Sequence, residues 1–139
     1  HFNKDSKLLL TNDFEITNKY VFRKDFEPNK IDLTKFDIAL IRNGMILETG
    51  TSNLVFVKNG KLFSPKKNCY FGNTIKFISK KIKINYKDIS INKISDYDEI
   101  ILIGSGKGVA SVSKIKEIKW KKRKNDCYNK LNKIYKSIA

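Results

Sequence analysis

The stretch that decides the fold is FDIALIRNGMILETGTSNLVFVKNGKLFS, residues 36–64. Short apolar runs alternate in it with two Asn-Gly dipeptides, Asn43-Gly44 and Asn59-Gly60. Both residue types tolerate the positive φ angles of a two-residue turn, so Asn-Gly is the strongest short signal for a hairpin. The sequence therefore predicts two consecutive hairpins, a meander, with four strands at 36–41, 45–48, 53–57 and 61–64.

The sequence on either side of the meander is less uniform. Residues 12–35 give no clear pattern, and Pro28 blocks a continuous helix there because it lacks an N–H group. The run EIILI, residues 99–103, is the most apolar and predicts a central strand buried on both faces. Further predicted elements are a strand at 7–10, a helix at 73–81, a strand at 82–86, a short extended or irregular connection at 89–94, and an amphipathic terminal helix in the basic tail 120–138.

The composition favours a single, strongly basic domain. The 139 residues carry a formal net charge of +15. We expect the scattered lysines to form a solvated surface, since a nucleic-acid site needs a basic stripe with stacking aromatics. The sequence has no apolar run long enough to span a bilayer. The two cysteines, Cys69 and Cys127, are far apart in the sequence, so we expect two free thiols, with a single disulfide as the alternative. With one His and no Cys cluster, we expect no metal site.

In one segment, residues 47–56, an acidic residue lies at the end of a predicted apolar strand. This residue is Glu48, and a predicted turn with the sequence Gly-Thr-Ser-Asn follows it closely. A carboxylate is costly to bury unless a cationic group pairs with it. The segment therefore fits either an exposed strand end or a site that binds a cationic group through Glu48.

Two further segments contain groups that bind anions. Residues 70–74 place Asn73 and Thr74 at the start of the predicted helix, where N–H groups and a hydroxyl suit an anion. An ordinary helix cap is the alternative. The sequence GSGKG, residues 104–108, follows the most apolar strand and fits either a tight turn or a ligand-contacting loop. It does not match the phosphate-binding P-loop pattern.

Together and in this order, the three segments resemble class IV, fold-type IV pyridoxal-phosphate (PLP) enzymes. This group holds the branched-chain and D-amino-acid aminotransferases and 4-amino-4-deoxychorismate lyase. Residues 48–55 are similar to the family's Glu, three residues, Ser-Asn, aliphatic and aromatic run, with Val55 in the aromatic position. Residues 72–74 are similar to its Gly-[Ile/Val]-Thr at a helix start. Residues 98–112 are similar to its Asp-Glu, apolar strand and Gly-[Thr/Ser] run.

The resemblance implies a role for residues of each segment. Glu48 would pair with the protonated pyridine nitrogen of PLP and so keep the ring an electron sink. The Asn73 backbone and the Thr74 and Ser105 side chains would hold the cofactor phosphate. The amides of Ser105 and Gly106 would lie near the substrate carboxylate.

The Schiff-base lysine that the resemblance implies is Lys19, the catalytic residue, in the segment KYVFR. This segment is similar to a lyase-type run of Lys, any residue, an apolar residue, Asn and Arg, with Phe in place of Asn. Lys19 lies a few positions closer to Glu48 than is usual in the family, and Pro28 would interrupt the helix expected after it. Lys24 is a weaker candidate. Both lysines also fit the solvated surface of a Lys-rich chain.

The implied fold is mixed α/β, the C-terminal pseudo-barrel domain of the D-amino-acid aminotransferase-like fold. It would cover residues 36–139, with residues 1–35 a poorly assigned N-terminal segment of the same domain. The chain begins at His1 and not at Met, so we expect upstream residues, including a smaller domain that forms the other wall of the cofactor cleft. The active site of this chain is then expected to be incomplete. The resemblance also implies a cytoplasmic homodimer with a small-molecule amino substrate.

Within the family, the sequence favours 4-amino-4-deoxychorismate lyase, which makes 4-aminobenzoate and pyruvate. Gly108 and Val109 follow Ser105 as in the lyases, whereas the aminotransferases more often carry an acidic residue where Gly108 stands. Lys19 would release PLP to the substrate amine and then shuttle a proton while pyruvate leaves. Branched-chain or D-amino-acid transamination is the alternative within the family. A non-catalytic basic domain that binds nucleic acid is the alternative outside it.

Overall fold

The computed structural model of the chain describes residues 6–12, 36–49, 52–66, 72–106, 108–115 and 118–138. These residues form a mixed α/β fold, which confirms the predicted fold class. The strands are β1 Ser6–Asn12, β2 Phe36–Arg42, β3 Met45–Thr49, β4 Asn53–Lys58, β5 Lys61–Ser64, β6 Asn85–Tyr86, β7 Ile89–Ser90, β8 Glu99–Gly104, β9 Gly108–Ile115 and β10 Trp120–Lys121. The helices are α1 Asn73–Ser79 and α2 Asp126–Ile138, and a 3-10 helix spans Ile91–Asp96.

Both predicted hairpins are confirmed. β2 pairs antiparallel with β3, and β4 pairs antiparallel with β5. The two central residues of each turn have positive φ angles, 53° and 74° at Asn43 and Gly44 and 51° and 77° at Asn59 and Gly60. This is the type I′ geometry, whose twist matches that of the flanking strands. The local chemistry of Asn-Gly therefore sets the register of each hairpin next to its turn, and the β2–β3 register shifts further along, between Ala39 and Ile41.

The sheet curls until its two ends meet. Its strand order is β6-β5-β4-β8-β9-β1-β2-β3-β7, with β10 beside β9. β6 and β7 stand at opposite ends of this order, although only Lys87 and Asp88 separate them in the sequence. An extended chain spans at most about 3.6 Å per residue, so the two ends must lie close together. The described strands thus form a barrel-like sheet.

Alternate side chains of the central strands enter two apolar clusters. Ile100 and Leu102 of β8 belong to the cluster inside the curled sheet. Ile101 and Ile103 of the same strand belong to the outer cluster, which α1 and α2 cover. Successive side chains of a strand point to opposite faces, so β8 is buried on both faces, as predicted. This central strand ends at Gly104, where the candidate site begins.

The prediction of a strand over residues 82–86 is wrong for most of its length, since only Asn85–Tyr86 pairs in the sheet. α1 ends at Ser79, two residues before the predicted end. The N–H groups of Lys81 and Ile82 both donate to the Ile78 carbonyl oxygen, at 2.9 and 3.1 Å. The turn that closes α1 therefore uses backbone groups that a strand at Ile82 would need.

The terminal helix is shorter than the basic tail that predicted it. Trp120–Lys121 forms a strand that pairs with β9, and the Trp120 Nε1–H donates to the Tyr97 carbonyl oxygen at 3.0 Å. α2 then begins at Asp126, and its apolar side chains, such as the fully buried Leu131, pack into the outer cluster. Within the described ranges, no helix is both long and apolar enough to cross a membrane.

Candidate functional site

A cleft of about 280 Å³ opens at one end of the curled sheet. This volume lies near the lower end of the range for small-molecule sites, roughly 300–1,000 Å³. β4 and β8 run antiparallel, and their register pairs Asn53 with Ile103. The start of β4 and the end of β8 therefore meet at this end of the sheet, beside the end of β3 and the start of α1. The described lining residues are Glu48, Thr49, Ser52, Asn53, Gly72, Asn73, Thr74, Ile75, Ile103, Gly104 and Ser105.

The structure brings together residues of all three segments that the sequence singled out. The predicted site residues along the cleft are Glu48, Asn73, Thr74 and Ser105. Gly106 follows Ser105 in the β8–β9 turn but is exposed and is not part of the described lining. Lys19 and the weaker candidate Lys24 both lie outside the described residues. The predicted residues thus bring one acidic residue and two hydroxyl residues, Thr74 and Ser105, to one concavity, and the predicted lysine stays a prediction.

Glu48 lies near the end of β3, next to a pair of hydrogen-bonded residues, Thr49 and Ser52. The N–H and the hydroxyl of Thr49 both donate to the Ser52 carbonyl oxygen, at 3.0 and 3.2 Å. The Ser52 N–H donates back to Thr49 Oγ1 at 2.8 Å. Glu48 directly precedes Thr49 and is partly exposed in the cleft. The bonds between Thr49 and Ser52 therefore fix the backbone that positions the carboxylate.

The hydroxyl of Ser52 is an unusual feature of the cleft wall. Ser52 is 6% exposed, and its Oγ is buried without a hydrogen-bond partner among the described residues. Leaving a buried polar group unpaired costs about 1–3 kcal/mol, so folded proteins keep few of them. A polar molecule in the cleft that Ser52 lines would give this hydroxyl a partner.

Asn53 joins the first segment to the second. The Gly72 N–H donates to Asn53 Oδ1 at 3.0 Å, which fixes the start of α1 against the start of β4. Gly72 is the N-cap of α1, so neither Asn73 nor Thr74 acts as the cap. The alternative of an ordinary cap at these two residues is therefore wrong. Ser52 and Asn53 could be placed in the family motif from the sequence but given no role of their own, because their contacts depend on tertiary structure.

The described lining contains one ionisable side chain, Glu48. Its other polar groups are hydroxyls, amides and backbone groups. A bound ligand would therefore meet a negative group on the β3 side and neutral hydrogen-bonding groups on the α1 and β8 sides. Among the residues that the structure covers, no group of three or more His, Cys, Asp or Glu could hold a metal ion.

Two neighbouring carboxylates at the start of β8, the end of this strand that is remote from the cleft, organise the outer layer. Glu99 is 1% exposed and accepts the N–H groups of Cys127 and Tyr128, at 3.1 and 3.0 Å, so it caps the first turn of α2. Burial, and next the Glu99 charge, raise the pKa of the Cys127 thiol. Asp98 instead pairs with Arg123 at 3.1 Å near the surface. Burial opposes ionisation of Asp98, but hydrogen bonds from Arg123 and the Asn59 N–H outweigh it and lower the pKa of this carboxyl.

Comparison with known proteins places the chain in a family. The profile of the family described as amino-transferase class IV matches residues 28–115, more than half of the chain. No curated protein matches the sequence. Among solved structures, the chain is similar to a protein assigned as 4-amino-4-deoxychorismate lyase from Legionella pneumophila, with a TM-score of 0.67 and 18% identity over 77% of this chain and 42% of that one.

Two aminotransferases show the same likeness. One is assigned as a branched-chain amino acid aminotransferase of Thermotoga maritima, with a TM-score of 0.64, 22% identity, and coverage of 74% of this chain and 41% of that one. The other is an aminotransferase from Brucella abortus bound to PLP, with a TM-score of 0.58, 23% identity, and coverage of 71% and 38%. The chain spans about two fifths of the length of these proteins. At such identities the likeness shows the fold, and it confirms the predicted fold-type IV domain. The chain belongs to the class IV aminotransferase family.

Proposed function

We propose that this chain is the C-terminal, cofactor-binding part of a PLP-dependent enzyme and that the cleft holds PLP. The observation that carries the proposal is the meeting of Glu48, Thr74 and Ser105 in one concavity. They come from the end of β3, the start of α1 and the β8–β9 turn. These elements are distant in the sequence, and only the fold brings the three residues together. The resemblance assigns the same three residues, one acidic and two with hydroxyl groups, to one cofactor.

The described residues fit such a cofactor. A phosphate needs hydrogen-bond donors, and Thr74 and Ser105, whose hydroxyls can donate, line the cleft together with Asn73 and Gly104. A protonated ring nitrogen needs an acidic acceptor, which Glu48 provides. The buried hydroxyl of Ser52, which lacks a described partner, can donate to a polar atom of the bound molecule. The phosphate and the ring nitrogen of PLP therefore each have a complementary group among the residues of the wall.

When bound, PLP supplies an electron-withdrawing ring that stabilises negative charge at the substrate α-carbon. The part of Glu48 is to hold the proton on the ring nitrogen, because a nearby negative charge favours the protonated form of a base. Ile75 and Ile103 give the cleft an apolar wall. Beside this wall and a bound ring, solvent would screen the attraction between Glu48 and the ring nitrogen less than it screens two groups in open water.

Replacing Glu48 by Gln tests the acidic role. A neutral amide cannot favour the protonated ring, so in the full-length protein we expect kcat to fall roughly 100-fold or more. The free energy of unfolding should change by less than about 1 kcal/mol, because Glu48 is partly exposed. Asp96→Asn, at an exposed carboxylate outside the described lining, is the matched control and should leave kcat unchanged. Equal turnover by the Glu48→Gln variant and the unmodified protein would contradict the assignment.

We propose Lys19 as the lysine that carries PLP, on the similarity of its segment to the lyases. Its part in the reaction is to hold the cofactor, release it to the substrate amine, and then move a proton. Borohydride fixes PLP covalently to the lysine that holds it, and mass spectrometry identifies that residue. We expect stoichiometric labelling of Lys19 in the full-length protein. Labelling of Lys24 or of another single lysine would show that the assignment is wrong.

For the reaction we propose the lyase, which releases 4-aminobenzoate and pyruvate from 4-amino-4-deoxychorismate. The support is Gly108, which stands where the aminotransferases of the family more often have an acidic residue. Gly108 has a φ of 71°, and a Cβ added to it would lie 2.8 Å from Tyr135 Cε2, so a side chain is disfavoured here. The likeness to the Thermotoga maritima protein keeps branched-chain transamination as the second candidate. The resemblance further supports a small amino substrate and a cytoplasmic homodimer.

The two reactions leave different products. The full-length protein would be incubated with 4-amino-4-deoxychorismate, and in parallel with a branched-chain or D-amino acid and a keto-acid acceptor. The lyase forms 4-aminobenzoate and pyruvate in equal amounts, with no net transfer of the amino group. A transaminase forms a new amino acid from the acceptor. New amino acid in the second reaction, with no pyruvate in the first, would overturn the lyase assignment and leave the proposed cofactor intact.

A further inference from the structure

The aromatic ring of Tyr135, on α2, covers the far end of the β8–β9 turn. A Cβ built on Gly108 would lie 2.8, 3.1 and 3.3 Å from Cε2, Cζ and Oη of Tyr135. Tyr135 is itself partly buried against the outer apolar cluster. The ring therefore occupies the space that a side chain at position 108 would need, and it packs directly on the backbone of Gly108.

Gly108 is the residue at which the turn returns to the sheet. Gly104 pairs with Gly108 as the last pair between β8 and β9, so the turn that contains Ser105 is closed by these two glycines. Ser105 lines the cleft, whereas Gly108 meets Tyr135. A change in the backbone at Gly108 would be transmitted to Ser105 across a turn of only a few residues.

α2 packs over β9 and β8 and brings Tyr135 to this point. Its first turn is bound by the carboxylate of Glu99, the first residue of β8. From Cys127 to Tyr135 a helix rises about 12 Å. From Glu99 to Gly104 a strand extends about 16 Å. The rise of the helix is comparable to the length of the strand. A helix whose first turn is bound at the start of β8 therefore places Tyr135 near the end of β8.

From this geometry we propose that Tyr135 is a positioning residue for the anion-binding turn. Its ring holds the Gly108 backbone in its left-handed conformation and so keeps Ser105 oriented toward the cleft before a ligand arrives. The inference rests on the proposed function, because the proposed function is what gives Ser105 a phosphate to bind. It adds that α2, which contributes no described residue to the cleft, sets the affinity of the cleft for PLP.

Three variants test this role. Tyr135→Ala removes the ring, and Tyr135→Phe keeps it. Ile134→Ala is the matched control, because Ile134 is also partly buried against the outer cluster but is the preceding residue of α2. The dissociation constant of PLP would be measured by equilibrium dialysis with the full-length protein. The rate of amide hydrogen exchange in the turn would be measured without cofactor, and thermal unfolding would be followed for each variant.

We expect Tyr135→Ala to raise the dissociation constant about tenfold, since binding must then also order the turn. Tyr135→Phe should stay within about twofold of the unmodified protein, because the ring remains in place. Ile134→Ala should lower the thermal stability without changing the affinity. Exchange in the turn should be faster in Tyr135→Ala alone.

Two results would overturn the inference. One is unchanged affinity and unchanged exchange in Tyr135→Ala. The other is an equal loss of affinity in Ile134→Ala, which would show that general destabilisation of α2 is the cause. If the unmodified protein binds no PLP, the proposed function fails, and hydrogen exchange in the turn still decides the role of Tyr135. Slow exchange that persists in Tyr135→Ala would then reject that role as well.

Discussion

Replacing Glu99 by Gln should destabilise this protein strongly, although the two side chains have nearly the same shape. The carboxylate is 1% exposed, and each of its two oxygens accepts one N–H group of the first turn of α2. A glutamine offers one oxygen, so its amide group would face the second N–H group. The substitution thus removes one hydrogen bond and the negative charge at a helix start, and it places two donors against each other.

The magnitude follows from these bonds. Hydrogen bonds to a charged group contribute roughly 1.5–3 kcal/mol each, and a neutral bond contributes roughly 0.5–1.5 kcal/mol. Exchanging two charge-assisted bonds for one neutral bond therefore costs on the order of 3 kcal/mol. Domains of this size are stable by about 5–15 kcal/mol, so the loss is a large share of the total. The thermal midpoint should fall by about 10 °C.

Urea denaturation at pH 7 measures this loss, with an unchanged m value to show that the unfolding transition is the same. Asp98→Asn is the matched control, since Asp98 is the adjacent carboxylate and pairs with the 48%-exposed Arg123 side chain. Exposed pairs contribute about 0–1 kcal/mol, so the control should lose far less stability than Glu99→Gln. Equal midpoints for Glu99→Gln and the unmodified protein would refute the capping role. A larger loss of unfolding free energy in Asp98→Asn than in Glu99→Gln would refute the claim that Glu99 stabilises the fold more than Asp98 does.

Two further predictions concern the cleft and the dependence on pH. Thr74→Ala and Ser105→Ala should each weaken PLP binding by roughly 1–3 kcal/mol, measured by dialysis, since each removes a charge-assisted hydrogen bond that we propose for the phosphate; unchanged affinity in both would place the phosphate elsewhere. Because folding lowers the pKa of Asp98 below its ordinary value of 3.8, the ionised carboxyl stabilises the fold above about pH 4, and this stabilisation is lost as the pH falls through the folded-state pKa. The difference in stability between the unmodified protein and Asp98→Asn should therefore shrink on acidification, and a constant difference down to pH 3 would contradict this.

The sequence predicts best what is local. The Asn-Gly turns at Asn43 and Asn59 specify their own backbone angles, so both hairpins could be placed from the sequence. The alternation from Ile82 to Tyr86 was misleading, because the end of α1 competes for the same backbone groups. The cap that Glu99 gives to α2 could not be predicted, since its donors lie 28 and 29 positions further along the chain.

The candidate site shows the same limit. Chemistry suggested Glu48 and Thr74 as separate candidates, each with a plain structural alternative. From the sequence, only the resemblance to a family assigned Glu48, Thr74 and Ser105 to the same site. The residues themselves could not show this, because their meeting in one cleft depends on the pairing of β4 with β8. The unpaired hydroxyl of Ser52 carries no signal in the sequence, since burial and the absence of a described partner are properties of the folded chain.

The way the sheet closes has a consequence for how the protein behaves in concentrated solution. Edge strands expose unpaired N–H and C=O groups, to which another chain can add, and long open edges promote aggregation. In the described sheet the two terminal strands, β6 and β7, are two residues long each and are joined by Lys87 and Asp88. A neighbouring molecule therefore meets very little free backbone at these ends, and it meets two charged residues beside it. The short link between β6 and β7 thus leaves each end of the described sheet with a terminal strand too short to be a good template for pairing with another copy.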